Sequence, residues 1–260
     1  MLFGRVLGKS RAWLIAHSDA AAGADAERAF AALAGRRRGG EPVAYILGER
    51  EFHGLELHVA PAVLIPRPET ELLVDLALQR IPANTALRVL DLGTGSGAIA
   101  VALAHARPQA RVSAVDLDDA ALAVARANAS RHGVRVRFLR GDWFSALSGE
   151  TFDVIVSNPP YVAAADPHLE MGDLRFEPRR ALVGGTDGLD CIRVIAARAG
   201  THLDAGSWLL LEHGYDQAAG CRALLQAQGY RAVQSWPDLA GIERVSGGRA
   251  APAHEADDLE

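Results

Sequence analysis

Lysine is almost missing from this chain. Among 260 residues Lys9 is the only one, and the other basic side chains are arginines. Thirty-two acidic residues against 27 basic ones leave a formal net charge of −5. That balance argues against an enzyme that grips long stretches of nucleic acid through a basic surface. Cysteine is scarce too. Cys191 and Cys221 stand far apart with no Cys-x-x-Cys spacing, so buried free thiols are expected rather than a disulfide or a ligand pair. The nine histidines contain no His-x-x-x-His pair, and no metal site is expected. No apolar run approaches a membrane span. After Arg5, Lys9 and Arg11 only Trp13-Leu14-Ile15-Ala16 follows, which is too short for the core of a signal peptide. The expectation is a cytoplasmic protein that does not touch the membrane.

What is present is an ordinary globular balance of 49% apolar and 23% charged residues. The length suits one core domain of roughly 170–190 residues plus a small appendage. Residues 10–47 read as helical. Phe30, Leu33 and Ala34 recur at helical spacing, Gly39-Gly40 stops the helix, and Arg36-Arg37-Arg38 suits the negative end of its dipole. Phe52, Leu55, Leu57 and Val59 alternate around Gly54, which predicts a hairpin over 48–66 linking two domains. Pro61, Pro66 and Pro68 stiffen the passage into a helix beginning near Glu69.

From Leu87 onward strand-like and helix-like segments alternate. Strands are expected at 88–91, 112–116, 134–139, 152–157, 208–211, 231–235 and 242–245, with helices at 97–106, 120–131, 192–199 and 217–228 between them. That rhythm predicts an α/β fold, a mostly parallel twisted sheet with helices on both faces, over 67–249. The tail 250–260 is rich in Ala, Pro and acids and is expected to be disordered.

Asp91-Leu-Gly93-Thr94-Gly95-Ser96-Gly97 sits where the first of these strands turns into its helix. Glycines there let the backbone turn sharply and approach a ligand. Gly93, Gly95 and Ala98 also satisfy the nicotinamide pattern formally, so the loop alone leaves two cofactors open. Asp116, at the end of the next strand, is placed to accept both hydroxyls of a ribose. That points to a nucleoside-bearing ligand of either kind.

Asn158-Pro159-Pro160-Tyr161 follows the strand 152–157 directly. Two prolines remove two backbone donors and fix φ, leaving rigid carbonyls. The side-chain oxygen of Asn158 and the carbonyl of Pro159 make two acceptors, and an NH2 group has two hydrogens to offer. An amide or aryl-amine nitrogen is a poor nucleophile because its lone pair is delocalised. Acceptors that bind more strongly as positive charge develops lower that barrier. Tyr161 is expected to stack on the planar acceptor group. A nicotinamide-dependent oxidoreductase or a mere binding module has no use for this motif.

The glycine loop with its leading acid resembles motif I of class I methyltransferases, and Asn-Pro-Pro-Tyr resembles the acceptor motif of their amino-methylating members. Further stretches narrow the likeness: Leu64-Ile-Pro-Arg-Pro-Glu-Thr-Glu71, Asp142-Trp-Phe144, Arg175-Phe-Glu-Pro178, Leu211-Glu-His-Gly214, Gly48-Glu-Arg-Glu-Phe52 and Glu243-Arg-Val245. In this order they resemble the PrmC/HemK family of peptide-chain release factor glutamine methyltransferases, over about residues 8–249. The resemblance implies S-adenosylmethionine as cofactor and release factors as protein substrates, with no stable nucleic-acid partner. It implies cofactor contacts at Gly93, Thr94, Gly95, Ser96, Gly97, Asp116, Asp142, Trp143 and Asn158, with Asp142 and Trp143 beside the adenine. It places the target glutamine, from a Gly-Gly-Gln tripeptide, on Asn158, Pro159, Pro160 and Tyr161, with Asn158, Pro159 and Tyr161 catalytic. It also leads us to expect a helical N-terminal domain over 1–47 that begins inside the family's second helix. The same motif on adenine or guanine of DNA or ribosomal RNA is the alternative. Arg67, Glu69 and Glu71 are read as the charged start of a helix, with a site-lining role as the alternative, and Glu212 and His213 as strand-end packing.

Overall fold

The computed structural model describes residues 1–251. Its first 47 residues form four helices: α1 (Leu2–Leu7), α2 (Arg11–Ala16), α3 (Ala24–Arg38) and α4 (Val43–Leu47). The expected continuous stretch is broken for local reasons. Ser10 starts α2 afresh by accepting the Trp13 N–H, and Gly39-Gly40 ends α3. Helix α3 buries no residue completely. An edge-on contact between Phe3 and Phe30 at 5.2 Å holds it to α1. Its basic trio does more than face a helix end. Arg36 pairs with Glu41 at 2.5 Å, and Arg37 reaches Asp173 of the following domain at 2.7 Å.

Strands β1 (Glu49–Phe52) and β2 (Leu55–His58) form the expected antiparallel hairpin. It is anchored rather than loose. Phe52 and Leu57 are buried in the main core, and the Asn128 amide both donates to the His58 carbonyl and accepts its N–H. A single 3-10 turn at Pro68–Thr70 then leads into α5 (Glu71–Leu78).

The main domain runs β3 (Arg88–Leu92), α6 (Ala98–Ala106), β4 (Arg111–Asp116), α7 (Asp119–Arg131), β5 (Val136–Arg140), β6 (Phe152–Ser157), α8 (Asp190–Ala199), β7 (Leu203–Glu212), α9 (Ala218–Ala227), β8 (Arg231–Pro237) and β9 (Glu243–Arg249). The strands make one seven-stranded sheet in the order β5-β4-β3-β6-β7-β9-β8. The first five are parallel, and β9 and β8 close the edge antiparallel. Successive residues of a strand face opposite sides, and the two cores obey this. Val89, Val154, Val156 and Leu210 pack with α5 and α6, whereas Leu90, Leu92, Ile155, Leu209 and Leu211 pack with α8 and α9.

Several boundaries differ from expectation, β7 and β9 being longer than expected, and two of the differences have a local cause. Val134 is not yet in β5, because its N–H still closes α7 on the Ala129 carbonyl. At the other end Ala250 is buried, donates to the Ser207 carbonyl and accepts the Gly206 N–H. Ala250 thus belongs to the sheet rather than to a tail. Residues 252–260 of the expected tail lie outside the described residues.

Candidate functional site

Parallel strands β3, β4, β5 and β6 all end on one side of the sheet, and a cavity of about 300 Å³ opens there. The order reverses between β3 and β6, the switch point at which such sheets bind ligands. Gly93, Thr94, Gly95, Ser96, Asp116, Asp142, Trp143, Asn158 and Pro160 line it. Nine residues expected at the site from four separate strand ends are therefore brought together.

The glycine loop is stitched to the end of β4. The N–H groups of Gly93 and Thr94 both donate to the Val115 carbonyl at 2.9 and 3.0 Å. Gly95 N–H donates to one oxygen of Asp116 at 2.8 Å, and Asp118 N–H to the other at 2.9 Å. Each carboxylate oxygen keeps a lone pair for a ligand hydroxyl. Burial raises the Asp116 pKa above its ordinary value, with these N–H groups opposing the shift. Behind the loop Asp91 is fully buried and accepts the Thr94 hydroxyl at 2.7 Å and the Ala100 N–H at 3.2 Å. Burial pushes its pKa up to about 7, and its Oδ1 has no partner.

Trp143 closes the loop from the third strand end. A Cβ on Gly93, whose φ is 72°, would lie 3.5 Å from the Trp143 ring. Trp143 is itself left-handed at φ 50°, a conformation that costs a bulky L-residue roughly 1–2 kcal/mol. The turn is held by Gly141 N–H on the Asp116 carbonyl and by Asp142 N–H on the Ser145 hydroxyl.

Gly97, expected among the cofactor contacts, is not on the cavity wall. It caps α6, and a Cβ there would come 3.0 Å from that of Ala125. Its role is close packing of α6 on α7. Cys191, expected to be buried, is half-exposed and lines the cavity, whereas Cys221 is buried.

In the acceptor motif Pro159 is buried, and neither it nor Tyr161 lines the cavity. The Asn158 Nδ2 donates to the Thr70 hydroxyl at 3.1 Å. Among the described residues nothing donates to its Oδ1 or to the Pro159 carbonyl. The Tyr161 hydroxyl turns inward and donates to Glu212 at 3.2 Å. Its ring packs against the α8–α9 core instead of lying in the cavity. The segment is rigid. Gln217 donates to the Tyr161 carbonyl at 3.0 Å, Val162 N–H bonds the Leu182 carbonyl, and Gly184 and Gly188 lie directly on the Pro160 and Tyr161 carbonyls.

Part of the wall is not expected from the sequence, in which only Arg67 of the following residues is weighed as site-lining. Leu64, Pro66, Arg67 and Thr70 enter from the proline-stiffened passage, and Arg180 and Ala181 from the segment after the acceptor motif. Glu177 joins these two segments: its fully buried carboxylate pairs with Arg67 and accepts the Ile65 N–H at 3.0 Å. Arg67 thus has a tertiary ion partner as well as its place before a helix. Arg180 pairs with Asp118 at the cavity rim. Pro66-Arg-Pro68 was the available signal, since a stiff passage held close to a glycine loop is a wall. Among the described residues no group of three or more His, Cys, Asp or Glu side chains is placed to hold a metal.

Residues 70–177 match the family model of the methyltransferase small domain, and residues 1–48 that of the PrmC N-terminal domain. The chain is 56% identical over 249 residues to the release factor glutamine methyltransferase of Bordetella pertussis, covering 95% of this chain and 92% of that one. It is 54% identical over 256 residues to the enzyme of the same name from Burkholderia pseudomallei, covering 96% and 90%. Among solved structures a methyltransferase from Pyrococcus furiosus has the same fold, with a TM-score of 0.59 at 21% identity, covering 84% of this chain and 98% of that one.

Proposed function

Because the chain belongs to the release factor glutamine methyltransferase family, we propose that its cavity holds S-adenosylmethionine and that the opening beside Asn158 receives a release-factor glutamine. The enzyme methylates the side-chain amide nitrogen of that glutamine at the expense of S-adenosylmethionine. The observation that supports the assignment of residues is Asn158, on the wall of the cavity that Asp116 also lines, with neither its Oδ1 nor the adjoining Pro159 carbonyl receiving a hydrogen bond among the described residues.

The cavity suits this cofactor. Asp116 offers both oxygens to a ribose diol, the ring of Trp143 and the apolar Leu117 offer faces to a base, and the glycine loop offers backbone groups to an amino-acid end. Bound there, S-adenosylmethionine supplies a methyl group on a positively charged sulfur. The chain's own part is to bind and orient. Asn158 Oδ1 and the Pro159 carbonyl take the two amide hydrogens and turn the nitrogen lone pair toward the cavity. Both hydrogen bonds strengthen as the nitrogen becomes positive, so they stabilise the transition state more than the ground state. Holding the nitrogen within about 3–3.5 Å of the methyl adds a proximity effect. Tyr161 backs this slot rather than stacking in the cavity.

The acceptor in this reading is the glutamine of a Gly-Gly-Gln loop tip, a single side chain that enters a narrow slot. A nucleobase in duplex would first have to leave its stack at a cost of a few kcal/mol. No stable nucleic-acid partner is proposed, which the net charge of −5 supports. The proposed compartment is the cytoplasm, where release factors serve protein synthesis. Labelled methyl transfer followed by mass spectrometry tests the reading. Wild-type release factor should gain one methyl on that glutamine, and a factor with glutamate in its place should gain none. Equal labelling of both factors, or labelling only of added DNA or ribosomal RNA, would overturn it.

A further inference from the structure

Behind the acceptor motif lie two residues that no chemistry described so far uses. Thr70 ends the 3-10 turn before α5, and Glu212 ends β7. Thr70 is 4% exposed and Glu212 is 1% exposed. Asn158 donates to the Thr70 oxygen at 3.1 Å, and Tyr161 donates to Glu212 Oε1 at 3.2 Å. The Thr70 hydroxyl lies beside the Glu212 carboxyl, whose buried Oε2 has no hydrogen-bond partner among the described residues. Three segments far apart in sequence thus meet in one string of polar groups.

A primary amide is nearly symmetric in shape, so packing alone does not decide which end faces a ligand. Hydrogen-bond direction does. The Thr70 oxygen already receives the Asn158 N–H, so its own proton is left for the adjacent acceptor, and that acceptor is Glu212. Tyr161 donates into the same carboxyl. Ionised, that carboxyl only accepts, so it ends the string and gives it one direction, from Asn158 through Thr70 to Glu212. With this direction the Asn158 amide must present its oxygen, not its NH2, to the substrate. A buried carboxyl is an expensive way to fill space, and packing alone would favour an apolar side chain at position 212.

We propose that Thr70 and Glu212 are positioning residues that set the direction of the Asn158 amide and so decide that the slot accepts, rather than donates, hydrogen bonds at the substrate nitrogen. The inference rests on the reading of Asn158 as an acceptor for the glutamine NH2. Glutamine at position 212 can donate to Thr70, which frees the Thr70 proton to bond Asn158 Oδ1 and allows the amide to flip.

The test uses the full chain with release factor and S-adenosylmethionine, measuring kcat and KM, with calorimetry for cofactor affinity and melting curves for folding. Thr70→Ala and Glu212→Gln should each lower kcat about tenfold or more, the loss of roughly one well-placed hydrogen bond. For Glu212→Gln cofactor Kd should stay within about two-fold, and Thr70→Ser should recover most of the Thr70→Ala loss because it keeps the hydroxyl. In an Asn158→Ala background Thr70→Ala should change kcat by less than about two-fold, since coupled residues are not additive. Thr70→Ser as impaired as Thr70→Ala, or losses that multiply with Asn158→Ala, would overturn the positioning role. Normal turnover in Asn158→Ala itself would instead remove the reading on which it rests, so the two failures are distinguishable.

Discussion

Asp91 and Glu212 make an instructive pair, one behind each half of the site. Both are fully buried carboxyls, both are pushed up to about 7 by burial, and each has one oxygen without a partner. Their bonds differ in reach. Asp91 holds Thr94 and Ala100, three and nine residues away along the chain. Glu212 holds Tyr161, 51 residues away, and lies against Thr70 of the segment before α5. The cofactor half is thus braced by its own loop, while the acceptor half is braced across the fold. Local bracing shapes a backbone that many ligands can use, and long-range bracing aims a particular side chain.

If the halves are separable, damage to one should leave the other working. The largest effect is expected from Asn158→Ala, which removes one of two acceptors at the reacting nitrogen. Turnover should fall about 10²–10³-fold, comparable to losing one oxyanion-hole donor, with cofactor affinity changing far less. Steady-state kinetics with calorimetry check this, and near-normal kcat at saturating release factor would sink the two-acceptor mechanism. Asp116→Ala should do the converse. Losing hydrogen bonds to a charged group should weaken S-adenosylmethionine binding by about 1.5–3 kcal/mol, with most of the kcat retained at saturating cofactor. Unchanged affinity in a folded variant would show that the diol is held elsewhere.

A smaller effect concerns the carboxyl pair and pH. Asp and Glu start from 3.8 and 4.5, and burial raises both to about 7 in the fold. A raised carboxyl favours the folded state below its unfolded value, and that contribution is lost as pH rises through the folded value. Around Glu212 burial disfavours the charged form most, the neighbouring Thr70 and Tyr161 hydroxyls and Arg244 favour it, and Glu69 opposes it. Glu212→Gln removes the titration. Relative to wild type its stability should therefore improve between pH 5 and 8 by roughly 1–3 kcal/mol, read from denaturant melts of the cofactor-free protein. A difference that does not move with pH would mean that Glu212 stays ionised throughout. Asp91→Asn should trace the same curve, and a divergence between the two variants would sharpen the contrast between the halves.

Much of this molecule was legible in the residues. The alternation after Leu87 dictated a parallel sheet, because apolar strands buried on both faces need helices on both faces. The glycine loop and Asp116 were readable as a candidate nucleoside site, and the structure brings them to one cavity. Asn158-Pro-Pro-Tyr161 was readable as a rigid turn with unpaired carbonyl oxygens, although the structure turns the Tyr161 hydroxyl inward. These are local signals, in which spacing along the chain already implies proximity. Gly97 lies off the cavity wall against α7, and a glycine needed for helix packing has the same letter as one needed for a ligand. Only contact with Ala125 separates the two uses.

Periodicity and short-range turn chemistry in the residues thus sufficed for the layered sheet and for the candidate glycine loop and Asn-Pro-Pro-Tyr turn. Tertiary structure alone decided that Arg67 would meet Glu177, that Tyr161 would turn its hydroxyl inward, and that Thr70 would stand between Asn158 and Glu212. Those pairings join residues 110, 51 and 88 positions apart. Burial is what makes them obligatory, because a polar group taken out of water must find a partner wherever the fold supplies one. No spacing rule along the chain encodes which one it will be.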